Sequence, residues 1–156
     1  MNADALKALD LFRRHNVKPQ LWVSGGGGSL DGVSSEEQAK RVANDVKRIK
    51  PIADAAKADG LKVGLYNHGS WFGEPDNQIA IIKALQGEGV DNVGIVYNQH
   101  HGHGHIAQFK ELLQRMLPHL ICLNLNGMEV RGDQLGRKII PLGMGAEDLS
   151  LLKIIS

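Results

Sequence analysis

Five histidines carry most of the chemistry this sequence offers. His100, His101, His103 and His105 fall within six residues, spaced by glycines, and His68 stands one apolar run earlier. Imidazole titrates closest to neutral pH, so such a cluster suits general acid–base work. It also suits borderline cations such as zinc, copper or nickel. His68 and His101 are the strongest catalytic candidates, because each sits just past a run that reads as a strand. A metal set would draw on His68, His101 and His103, although their spacing matches no tight ligand motif. The competing reading is a polar loop whose imidazoles bond solvent, backbone or substrate.

The elements that must position these groups are legible as runs. Val93, Ile95 and Val96 are β-branched, and a nearly continuous apolar run fits a buried parallel strand. Similar runs occur at Leu21–Val23, Leu61–Tyr66 and His119–Asn126, with Ile139-Ile140 as a possible fifth. Between them lie helical patterns. One covers residues 3 to 15. A second starts at the capping box Ser34-Ser35-Glu36-Glu37, with a kink or split expected at Pro51 and a stop at Gly60. A third starts at Glu74-Pro75, a fourth runs from about His105 to Leu117, and a last short one from Glu147 to about Ile155. Alternation of this kind implies an α/β fold with parallel strands. Every strand exits into polar residues: Ser24, then Asn67 and His68, then Asn98 with the histidines, then Asn124 and Asn126. Parallel neighbours put those exits on one rim, where the asparagine amides can offer both donors and acceptors to hydroxyl groups. Satisfaction of strand-end backbone is the plainer role, and for Asn126 before Gly127 a turn. Trp71 and Phe72 fall on what reads as an exposed loop after His68, where Trp71 could stack on a ligand ring or pack over the rim. Glu74 and Glu129 are the carboxylates nearest these exits.

The four glycines Gly25–Gly28 follow the first strand without the helix that a dinucleotide fingerprint requires, and no Gly-Lys-Ser/Thr follows. They read as a flexible loop, with a mobile cover over a site as the functional alternative. The 156 residues carry a formal net charge of +1 and 42% hydrophobic residues, which suits a soluble globular chain. That balance gives no electrostatic footprint for nucleic acid, and no apolar run is long enough to span a bilayer. The single cysteine, Cys122, excludes an internal disulfide and reads as a buried small hydrophobe. Reducing cytosol is the favoured compartment, with export open if the chain belongs to a longer one.

Three stretches together resemble the xylose-isomerase-like TIM barrels, the sugar phosphate isomerase/epimerase superfamily. They are Lys62-Val63-Gly64-Leu65-Tyr66-Asn67-His68-Gly69, Asn92 to Asn98 with His101, and Asn124-Leu125-Asn126-Gly127. The resemblance covers roughly Leu61 to the carboxyl end and implies an incomplete (β/α)8 barrel of about four to five parallel strands. Residues 1–156 would then be one partial-barrel domain, a fragment of a longer chain. It implies isomerisation or epimerisation of a small carbohydrate by proton transfer, with His68 and His101 as acid/base groups or ligands. Asn67, Trp71, Asn98, Asn124 and Asn126 would contact the sugar. Metal-dependent members carry a glutamate where this chain has Tyr66, an aspartate where it has Asn98 and a histidine near Asn124. His101 matches the pattern. A divalent transition metal (zinc, manganese or cobalt) would therefore need histidine ligands in place of the usual carboxylates. Two rivals stand beside this reading: a carbohydrate-binding barrel that has lost its ligands, and a metal-assisted hydrolase of the barrel endonuclease type. The open edges of a partial barrel imply as partner the remainder of the barrel or a second copy.

Overall fold

A computed structural model describes residues 3–26 and 28–155. Gly27, inside the glycine run, lies outside the described residues.

Four parallel strands form one sheet in the order β1-β2-β3-β4. They are β1 (Leu21–Val23), β2 (Val63–Tyr66), β3 (Val93–Asn98) and β4 (Leu120–Asn124). Leu21 pairs with Val63, Val63 with Val93 and Asn98 with Asn124, so all four strands run to the same rim. Helices α1 (Ala3–Arg14), α2 (Ser35–Ala58), α3 (Ser70–Gly73), α4 (Pro75–Gly87), α5 (Phe109–Met116) and α6 (Asp148–Ile155) complete the order.

Side chains alternate across the strands. Val63, Leu65, Val93, Ile95 and Tyr97 face the helices and join one core with Ile49, Ala53 and Ala56 of α2 and Ile81, Ile82 and Leu85 of α4. Burying each large apolar side chain there contributes about 1.5–3 kcal/mol. The opposite face carries Trp22, Gly64, Tyr66, Val96 and Asn98. It is concave: Gln20, just ahead of β1, donates through Nε2 to the Ile121 carbonyl of β4 at 3.4 Å. Gly64 makes this curl possible, because a Cβ there would run into Val96 and lie 3.3 Å from Trp22 and 3.4 Å from the Ile121 side chain. Helices outside and a curled parallel sheet inside are the layers of a barrel.

Several sequence expectations need correction. α2 runs through Pro51 without a break. Ile49, Ala53 and Ala56 are fully buried on both sides of the proline, and that burial outweighs one missing hydrogen bond. Ser34 caps α2 by accepting from the Glu37 N–H at 3.1 Å, but Glu37 does not reach back; its carboxylate takes Arg41 at 2.9 Å. Residues 103–108 form a 3-10 turn, and the α-helix begins only at Phe109. Ile140 makes a single antiparallel bridge to Gly127 rather than a fifth parallel strand. Cys122 is half-buried on the edge strand β4. Among the described residues, no helix is long and apolar enough to cross a membrane.

Candidate functional site at the strand exits

β2 and β3 deliver the site. Beyond Tyr66 the chain turns sharply, with Gly69 and Ser70 both at positive φ (64° and 52°), and re-enters as α3. Beyond Asn98 it tightens into a 3-10 turn at Gln99–His101, where the His100 N–H donates to Asn98 Oδ1 at 3.4 Å. These two turns bring His68 and His101 together, with ring centroids 4.7 Å apart and edge to face. His100 lies against His101 at 3.5 Å between centroids. His68, Asn98, His101 and Asn124 thus stand at the exits of adjacent parallel strands, as the polar exits imply, whereas Asn67 turns into the sheet.

A closed hydrogen-bond network underlies the pair. Asn98 Nδ2 donates to the Tyr66 hydroxyl at 2.8 Å, and that hydroxyl meets His101 Nε2 at 3.2 Å. Since the phenol oxygen accepts from Asn98, its own proton is free for a neutral His101 Nε2. Burial, then the charges of His100, His68 and Lys138, push His101 down to about 4, so it is neutral at physiological pH. His100 is lowered too, first by burial and then by Lys138. Trp22 stacks on Tyr66 with centroids 5.5 Å apart and fixes the phenol from the other side.

The remaining candidates separate by what they touch. Asn67 is buried, and both ends of its amide are taken by Asn98 main chain: Nδ2 donates to Asn98 O at 3.0 Å and Oδ1 accepts from Asn98 N–H at 2.7 Å. It is a splint between β2 and β3, not a group facing a ligand. Asn126 donates to the Gly127 and Lys138 carbonyls at 2.8 and 3.2 Å and holds a turn. Asn124 is exposed on the rim. Trp71 does not lie on an exposed loop. It sits in α3, 2% exposed, with its indole N–H donating to Gln38 Oε1 at 2.6 Å and Arg41 over its ring. There it packs against α2. Glu74 is engaged by His105 at 3.0 Å, and His105 also meets the Tyr97 hydroxyl at 3.4 Å. The Glu74 hydrogen bond raises His105 above its ordinary value, against the burial that lowers it.

A divalent metal, implied by the sequence resemblance, does not fit these residues. Among the described residues no three His, Cys, Asp or Glu side chains are grouped to hold an ion. Tyr66 and Asn98 bond each other, and His103 is turned away, with Nε2 3.2 Å from the Lys138 carbonyl. Lys138 is the residue that sequence reasoning missed. Its backbone is gripped by Asn126 and His103, and its charge reaches both His100 and His101. In the sequence it merely heads the Ile139-Ile140 run.

Curled parallel strands, outer helices and polar exits on one rim define an incomplete TIM barrel. A solved structure of a D-tagatose 3-epimerase-like protein aligns with it at a TM-score of 0.59 and 22% sequence identity. The alignment covers 95% of this chain and 55% of that one, so the chain spans about half the length of that structure. No family model and no curated protein matches the sequence.

Proposed function

We propose that this half-barrel acts on a small carbohydrate by proton transfer at the rim, as a sugar isomerase or epimerase. The observation that carries the reading is the meeting of His68 and His101 over the Tyr66–Asn98 network. His68 is the exposed imidazole, open to a ligand. His101, neutral and hydrogen-bonded through Nε2 to a phenol, is the second imidazole beside it and has its Nδ1–H left to donate to a ligand oxygen. The solved D-tagatose 3-epimerase-like structure supports the choice of sugar chemistry through its shared fold. Positioned acid–base groups of this kind contribute about 10²–10⁴-fold.

The test is exchange of carbon-bound hydrogen in D₂O, followed by proton NMR over a panel of ketoses and aldoses. His68→Ala and His101→Ala should each abolish the exchange. A second reading, a binding barrel without catalysis, is favoured by Tyr66 and Asn98 standing where carboxylates are implied. Sugar binding without any exchange would establish that second reading and defeat the first.

A further inference from the structure

We propose that the rim holds an oxyanion of its ligand, a carboxylate or a phosphate group, between Lys138 and the imidazoles of His100 and His101. The proposal rests on the carbohydrate reading above and narrows it to acidic or phosphorylated sugars.

Three observations converge on it. The first is placement. The Lys138 carbonyl accepts from Asn126 Nδ2 and lies 3.2 Å from His103 Nε2, so residues from the exits of both β3 and β4 fix this lysine on the histidine rim. The second is its lack of a counter-charge. Lys138 is half-buried and has no ion pair among the described residues. Glu74, Glu129 and Asp148 are engaged elsewhere. Glu74 bonds His105 at 3.0 Å and Glu129 approaches Arg137 at 3.8 Å. Asp148 accepts from the Met128, Gly143 and Gly145 main-chain N–H groups at 2.8, 2.7 and 3.0 Å. The third is the chemistry of the neighbours. His68 and His100 each stand in ring contact with His101, and among the described residues none of the three pairs with a carboxylate. A lysine whose main chain is fixed on the rim that carries these imidazoles brings N–H donors to one region, and no ion pair answers its charge among the described residues. An oxyanion accepts several such bonds at once, and charge-assisted bonds are the stronger kind. Where carboxylates would draw a cation, this rim offers the reverse polarity.

Calorimetry and histidine ring NMR on the protein, with inorganic phosphate, gluconate and uncharged glucose as probes, test the proposal. Phosphate or gluconate should bind and shift the ring signals of His100 and His101; which of the two binds more tightly identifies the source of the oxyanion. Lys138→Met should weaken that binding by about tenfold or more, whereas Lys138→Arg, which keeps the charge, should stay within about threefold. A thermal melt confirms that both variants fold. Anion binding unchanged in Lys138→Met, or no binding of either anion, would overturn the site. Glucose binding that ignores the lysine, with no anion bound, overturns the anion site and leaves the carbohydrate reading intact. Lysine-dependent phosphate binding without any sugar binding supports the anion site and removes the carbohydrate reading.

Discussion

Replacing Asn67 by alanine should damage this rim more than any exposed substitution. The Asn67 amide extends the β2–β3 ladder by one step, pairing side chain to main chain at both the N–H and the C=O of Asn98. Asn98 is 8% exposed and Asn67 3%, so water cannot replace the lost partners in place. A buried backbone group left without a partner costs about 1–3 kcal/mol, so two give about 2–4 kcal/mol once partial relaxation is allowed. For a chain of this size each kcal/mol lowers Tm by roughly 2–4 °C, which places the drop at about 5–15 °C. Thermal unfolding followed by circular dichroism measures it. Amide exchange at Asn98 locates it, because that N–H should lose protection well before the core of β3. Asn67→Asp should be equally damaging, since it turns an oxygen toward the Asn98 carbonyl. A shift of less than about 0.5 kcal/mol in Asn67→Ala would mean that the splint is not a structural element, and the account of the rim would fail with it.

Tyr66→Phe removes the hydroxyl shared by Asn98 and His101 and should cost about 1–2 kcal/mol, read from denaturant midpoints at constant m; no change would contradict the network. Acid stability should depend on His101. Its folded value of about 4 lies below the unfolded value near 6.5, so the native state binds fewer protons and loses stability as pH falls through that window. The loss is bounded near 3 kcal/mol and reduced by solvent screening to about 1–2 kcal/mol; His101→Asn should flatten the decline. His105 acts in the opposite sense. Glu74 raises its folded value, so its contribution is complete below about pH 6.5 and fades as pH rises through the folded value; Glu74→Gln should abolish that alkaline loss. Chelation should leave the melting curve unchanged, because no described group of side chains is arranged as a metal site; a drop in Tm with EDTA would contradict this.

The strands were legible because they are local: β-branched runs at Val63, Val93 and Ile95 bounded by polar exits. Their convergence followed from parallel topology alone, so His68 and His101 could be paired from sequence. What was not legible depended on distant partners. Trp71 looked exposed because α3 has only four residues, too few to show a period, and because its anchor, Gln38, lies on another helix. Asn67 looked like a ligand contact because its partner is main chain 31 residues away. Pro51 looked like a break because propensity is local, whereas the burial of Ile49 and Ala53 is not. Lys138 was invisible for the same reason: its position is set by His103 and Asn126, not by its neighbours in sequence.

Tyr66 and Asn98 stand where two strands exit, and a phenol beside an amide behaves differently there from a pair of carboxylates. A carboxylate pair at the exits of β2 and β3 would repel unless a cation lay between them. A phenol and an amide need no such mediator; they bond each other directly and draw in His101 and the Asn98 main chain. The inner part of the rim thereby satisfies itself. On the proposed function, the groups left to meet a ligand are the exposed His68 imidazole, the exposed Asn124 amide and the half-buried Lys138. Those three come from the exit of β2, the end of β4 and the loop beyond it. That proposal requires the 126–138 segment to stay docked against the histidine turn, and the Asn126 and His103 contacts to the Lys138 carbonyl are bonds that hold it there.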